Sequence, residues 1–427
     1  MCKKSSTFAS EMQAVVKNTA RLFSANVLAQ VVGFLVYPLL TRLYSSSDFG
    51  LLNLFVSIGG VLVLIATADY QYAIVLPKDK ERVRALRQLC TMLVAGMSLL
   101  LVLSWPFGRL ACCCLSAPEL ADWWWLMPLF VAATAGWNVL NYSYVRVSQF
   151  RRISLYMLLL SLVAAGLKVL LGWLGVEGGL LWAAVIAPCV ALLAVTRWRN
   201  KELFTPMEPQ GVSVGAVARE YIYFPLFSLP RSLTNTLALA LPSIMLTPAF
   251  GLETVGLVAM AITLSFKPIS LIVSSLYQVL FRETSERVNR RETILPRLRK
   301  LSLMTVAVVV PLFAALWFVL PMLTAWLLGA EWEVSGRYIR WMLPWLLFTC
   351  LNGPIAFLID VFMAQKVGLV FEVMLLVFKA AGIGIGIWFG DVTMAVAGFS
   401  LMSAAALALQ LIWFYTLVRR YEHSIAS

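Results

Sequence analysis

Three cations stand in the middle of apolar stretches of this sequence. Arg231 lies within FPLFSLPRSLTNTLALALP, residues 224–242, Lys267 within a run near 254–281, and Lys379 within a run near 368–389. A guanidinium is protonated at any physiological pH, and a charge in hydrocarbon is costly unless it reaches water or a partner. Each cation is about ten residues from both ends of its run, or ~15 Å deep at ~1.5 Å rise per residue. The acids do not match them in depth. Asp69 and Asp360 fall toward the ends of their runs, and Glu372 lies about one helical turn inside its own. Glu372 and Lys379 share a helix face, but ~10 Å of axis separates them, too far for a pair within one ideal helix. Two readings stay open: cations paired with these acids between helices, or cations that receive an anionic guest. For such a guest arginine offers paired charge-assisted hydrogen bonds and lysine a point charge.

Uncharged polar residues add a second pattern. At helical spacing, where residues three or four apart share a face, the first apolar run gives Asn26, Gln30, Gly33, Tyr37 and Thr41. The second gives Asn53, Ser57, Gly60, Thr67 and Gln71. The seventh gives Ser228, Arg231 and Asn235, and the eighth gives Thr263, Lys267, Ser270, Ser274 and Tyr277. Helices facing lipid avoid such stripes, whereas helices that line an aqueous cavity tolerate them. The alternative is that these side chains are hydrogen-bonding glue between helices. Lys168 is close enough to the outer end of its run to snorkel to the interface.

The elements that must carry these residues are set by composition. The chain is 61% hydrophobic and 13% charged over 427 residues, against about 45–50% and about 25% in soluble domains. Apolar windows of about 20 residues, enough to cross ~30 Å of hydrocarbon, fall near 22–41, 50–76, 89–108, 122–145, 153–174, 178–196, 221–248, 254–281, 301–321, 340–363, 368–389 and 393–418. The expected fold is an all-α polytopic membrane protein of twelve spans. With the N-terminus inside, Arg42, Arg109, Arg337 and Arg340 lie outside and Lys168, Arg231, Lys267 and Lys379 within spans, leaving the remainder of the 34 Lys and Arg cytoplasmic. By the positive-inside rule both termini are expected in the cytoplasm. The net charge of +13 is then a topology and anionic-lipid signal, not a nucleic-acid footprint. The basic start, MCKKSSTFASEMQAVVKNTARLF, lacks the pattern of a cleavable signal peptide. The cysteines, three of them adjacent at Cys112, Cys113 and Cys114, lack the separated pairs of a zinc site. No nucleotide loop or nucleophilic triad is present, so neither a metal nor an enzyme activity is expected. GIGIGIWFG, 382–390, lies in an apolar run, and Gly382, Gly386 and Gly390 read as a close-packing face.

A short repeat organises the spans. PLLTRLYSSSDFGLLNLF from Pro38 and PSIMLTPAFGLETVGLVAM from Pro242 each end a run with proline, pass through Leu-Thr and re-enter an apolar run at Gly50-Leu51 or Gly256-Leu257. These are the first and seventh connections, so two six-span halves share one orientation, an arrangement in which transporters place substrate between repeats. The expected division is a lobe at 1–196, a cytoplasmic linker at 197–220 and a lobe at 221–427.

SANVLAQVVGFLVYPLLTRLYSSSDFGLLNLF, followed by ADYQYAIVLPKDK, resembles the N-terminal signature of bacterial polysaccharide flippases, within the multidrug, oligosaccharidyl-lipid and polysaccharide exporter superfamily. YIYFPLFSLPRSLTNTLALALPSIMLTPAFGLETVGL resembles the start of that family's second half. The resemblance implies two six-helix lobes around a central cavity, and movement of undecaprenyl-diphosphate-linked oligosaccharide from the cytoplasmic to the periplasmic leaflet of the inner membrane by alternating access. Arg231, Lys267 and Lys379 would hold the diphosphate, with Asn26, Gln30, Asn53, Gln71 and Asn235 lining the wet cavity. No cofactor is implied beyond a proton or sodium gradient, for which Asp69, Glu372 and Asp360 are the coupling candidates. The family pattern often has an acid where Gln71 stands; either Asp69 substitutes for it here or coupling differs. The partners implied are the lipid-linked oligosaccharide, membrane lipids, a polysaccharide polymerase and other biosynthesis proteins. Two alternatives remain: a drug or small-molecule exporter of the same superfamily, for which deep acids would be more natural, and a membrane polysaccharide polymerase or ligase, for which a larger external loop would be.

Overall fold

The computed structural model describes residues 30–31, 33–106, 108, 116–197 and 212–426. Among them, nine helices are long and apolar enough to cross a bilayer, and the longest, Phe224–Asn289, is one continuous run only by hydrogen-bond pattern. Gly251 (φ 79, ψ 174) is not helical, so this run is two helices, 229–250 and 252–289. An L-side chain would be strained at that φ, and glycine is not. Two further helices, the shorter apolar one before Leu43 and Met127–Arg146, fall at the first and fourth of the expected windows.

In chain order the helices are α1 Tyr37–Leu43, α2 Ser46–Thr67, α3 Lys80–Leu103, α4 Met127–Arg146, α5 Phe150–Trp173 and α6 Gly179–Arg197. They continue with α7 at 229–250, α8 at 252–289, α9 Leu295–Leu328, α10 Glu333–Asn352, α11 Gln365–Phe389 and α12 Val392–Ala426. Burial runs opposite to that of a soluble protein. Trp388 is 87% exposed and Phe318, Met322 and Trp326 each 77%, the apolar exterior that lipid requires.

Two of the long apolar windows break where the site is built. Window 50–76 stops being helical at Thr67; Ala68 (φ 46) and Asp69 (φ 59) take the left-handed region, and a 3-10 turn follows over Tyr70–Val75. Asp79 then caps α3, its carboxylate accepting from the Glu81 amide at 3.0 Å, a standard first-turn anchor. Window 221–248 opens with a π-helical turn over Phe224–Ser228. Pro225 and Pro230 each withhold an amide donor from that stretch, and such local rewinding is how helices absorb the loss.

The chain divides into two compact units, Met1–Tyr44 with Phe55–Leu233, and Ser45–Leu54 with Thr234–Ser427. Within the first, Tyr70, Ile74, Leu86 and Val139 pack the 3-10 turn against α3 and α4, and the Trp137 and Tyr156 rings stack at 3.4 Å. Within the second, Met342, Trp345, Ile383, Val396 and Phe399 form a core shared by α10, α11 and α12. Here the two glycines aligned in the repeat meet. A Cβ on Gly50 would collide with the Leu252 carbonyl, and one on Gly256 with the Ser46 carbonyl. Each glycine therefore faces the carbonyl four residues before the other, as in an isologous contact between two copies of one motif. Beside them the Asn53 side-chain amide donates to the Ser243 hydroxyl. Gly382 packs against the Gly398 backbone and Gly386 against Ala395, which joins α11 to α12. Gly390 serves differently, ending α11 in the left-handed conformation (φ 68).

Candidate functional site

The densest polar arrangement in the first unit surrounds Asp69, which is fully buried at 0% exposure. One carboxylate oxygen, Oδ2, accepts from the Ser228 hydroxyl at 2.8 Å and from the Ser232 hydroxyl at 2.7 Å. The other, Oδ1, accepts from the Gln71 side-chain amide at 3.2 Å. A buried carboxylate is tolerable only when its lone pairs are occupied in this way. The left-handed backbone at Ala68 and Asp69 turns the carboxylate toward α7; aspartate is among the few residues that visit this region readily. Ser228 and Ser232 are four apart, one turn of α7, so both hydroxyls lie on one face. The Gln71 Oε1 atom is buried and accepts no hydrogen bond, and the Tyr72 and Tyr142 rings meet edge to face at 4.8 Å beside it in sequence. Asp69 is thus a clasp on the turn of α7 that carries Arg231.

Arg231 is exposed, as are Asn235 on the same helix and Gln30 at the start of the described chain. Asn26 lies outside the described residues. Gln71 is 2% exposed and belongs to the clasp, so its amide binds the carboxylate. Lys267 on α8 is exposed. Asp360 is exposed, and the Tyr277 hydroxyl of α8 donates to it at 3.4 Å. Glu372 is half-buried on α11. Lys379 lies on the same helix at 3% exposure. Its ammonium donates to the Ala238 carbonyl at 3.3 Å and stands 5.3 Å from the centres of the Trp345 and Phe399 rings. Asp69 and Gln71 are therefore brought together, with Ser232 as a member that the polar stripes did not include. The clue was present: Ser228 and Ser232 have the spacing of one helical face, but nothing local says that an acid from the end of α2 caps them.

With this geometry in hand, the comparisons with known proteins can be placed. The sequence matches the family described as polysaccharide biosynthesis protein over residues 39–336. The chain belongs to this family. The match begins in α1 and runs into α10, so it includes the α2 break, the clasp and Arg231. A curated relative, the succinoglycan biosynthesis transport protein ExoT of Rhizobium meliloti, is 22% identical over 309 residues, 71% of this chain and 60% of that protein. The matched segment thus spans 60% of the relative's length. Among solved structures, the lipid II flippase MurJ in an inward closed conformation is similar with a TM-score of 0.70 at 11% identity, covering 95% of this chain and 90% of that one. An inward-facing multidrug resistance MATE family transporter of the MOP superfamily is similar with a TM-score of 0.65 at 15% identity, covering 94% and 95%. These likenesses show the fold, twelve membrane helices in two lobes. The protein is a multi-pass membrane protein of the polysaccharide biosynthesis family.

Proposed function

We propose that this protein flips a polyprenyl-diphosphate-linked oligosaccharide, of the undecaprenyl class, from the cytoplasmic to the periplasmic leaflet of the bacterial inner membrane. This reading has both termini in the cytoplasm, on the distribution of basic residues, and assigns no covalent chemistry. The observation that carries the reading is Arg231, an exposed guanidinium in the apolar first turns of α7, a segment fixed by Ser228 and Ser232 on the buried Asp69. A diphosphate offers oxygens in the geometry that a guanidinium fork binds bidentately. The prenyl tail is as apolar as lipid and has no reason to leave it, so only the polar headgroup needs a protein path, opened to one leaflet and then the other.

Asp69 is the coupling residue in this reading. Protonation, or capture of a small cation, replaces the charge that holds two hydroxyls of α7 and so loosens the turn bearing Arg231. The test is direct binding of a prenyl-diphosphate sugar to purified protein. Arg231→Ala is expected to weaken binding about ten- to hundredfold, the equivalent of one charge-assisted hydrogen bond, while Arg231→Lys retains part of it. Unchanged affinity in Arg231→Ala would overturn the assignment.

A further inference from the structure

Lys379 is the most deeply buried cation among the described residues, and the sequence gives no reason for the carbonyl it has chosen. That reason lies four residues along α7. Proline has no amide hydrogen, so Pro242 cannot supply the helical donor to the carbonyl of residue 238, and its ring pushes that carbonyl aside. Ala238 is 5% exposed, where an orphaned carbonyl has no water to turn to. The Lys379 ammonium donates to this oxygen at 3.3 Å. The rest of the ammonium is covered by the faces of Trp345 and Phe399, each at 5.3 Å, and those rings are themselves held edge to face at 5.2 Å. All these residues lie in the second unit.

We infer that Lys379 is a positioning residue for α7: it supplies from α11 the hydrogen bond that Pro242 denies to Ala238, so that this turn of α7 is held by a contact that can be released and remade. A backbone bond in a continuous helix is part of a cooperative ladder; a side-chain donor between two helices can part without unwinding either. The aromatic faces hold the ammonium through cation–π attraction, so the charge has a resting place on α10 and α12 when α7 moves. This assigns Lys379 a role other than binding the diphosphate.

The experiment is a double-mutant cycle of Lys379→Met and Pro242→Ala, read by thermal midpoint, by binding of a prenyl-diphosphate sugar and by flipping rate in liposomes. The midpoint arm is independent of the cargo; the flipping arm rests on the function proposed above. Lys379→Met alone should lower the midpoint, and adding Pro242→Ala should restore most of it, because an alanine amide at that position brings back the backbone donor. Lys379→Arg, which keeps donors and charge, should stay near wild type. The double variant should bind the diphosphate as wild type does yet flip it more slowly, since the replaced bond can no longer open. If Lys379→Met does not fold, recovery of folded protein in the double variant supports the inference and failure of both overturns it. Additive midpoint losses would overturn it. So would a wild-type midpoint with lost diphosphate binding in Lys379→Met, which would make Lys379 a ligand, or full flipping in the double variant, which would make the contact static.

Discussion

Among single residues, the proposed function gives the ion to Asp69 and the cargo to Arg231. Asp69 accepts three side-chain hydrogen bonds with no exposure to solvent, and bonds to a charged acceptor contribute ~1.5–3 kcal/mol each. Asp69→Asn keeps the shape but leaves one acceptor oxygen: turned toward Ser228 and Ser232 it sets its NH2 against the Gln71 amide donor, and turned toward Gln71 it loses both serines. The expected outcome is a flipping rate that no longer responds to an imposed proton or sodium gradient, with binding of the diphosphate preserved; an unaltered gradient response would move the coupling role to Glu372 or Asp360. Ser232→Ala is the milder companion, removing one 2.7 Å hydrogen bond and lowering stability by ~1–2 kcal/mol, measurable as a shift of the thermal midpoint in detergent. Both roles were half visible in the sequence. The depth of Arg231 and the presence of an acid near Gln71 follow from spacing; the pairing of Asp69 with Ser228 and Ser232 depends on a tertiary approach that no periodicity records.

For the helices, existence was legible, and the length of windows 50–76 and 221–248 allowed a tilt or a break without placing it. No helix breaker marks the stretch ATADYQYAIV, because the break at Ala68 and Asp69 uses neither glycine nor proline; two positive φ angles in L-residues persist only where surrounding contacts over-determine them. Those contacts include the carboxylate bonds and the Tyr70 hydroxyl donating to the Ala218 carbonyl at 3.0 Å. The α7–α8 break, by contrast, has its glycine, and the repeat marked Gly50 and Gly256 as equivalent positions without showing that their helices cross there. That crossing leaves no space for a methyl group. Gly50→Ala or Gly256→Ala should therefore lower stability by ~1–3 kcal/mol, as seen in thermal melts, whereas Gly384→Ala on α11, where an added Cβ meets nothing within 4 Å, should be near neutral or slightly stabilising. Equal melts for all three would mean that the backbones are not in contact at the repeat glycines.

For the protein as a unit, composition alone was enough for a multi-pass bundle, because 61% hydrophobic residues in twelve windows leave no soluble alternative. The direction of insertion rests on the distribution of basic residues. Reporter fusions after Lys80 and Arg290 should lie in the cytoplasm and a fusion after Glu177 outside; any reversal would break the two-repeat topology. What composition could not supply is the cargo, since a bundle of this fold serves multidrug and lipid II transporters alike and function lives in the site rather than the fold. The step on which the rest depends is the engagement of a lipid diphosphate by Arg231 during passage from one leaflet to the other. Wild type and Arg231→Ala reconstituted in liposomes with a fluorescent polyprenyl-diphosphate sugar would report on that step through loss of the label from the leaflet of origin. Fast exchange by wild type, with Arg231→Ala reduced to the rate of protein-free liposomes at an unchanged thermal midpoint, is the expected result; equal exchange by the two proteins would contradict it.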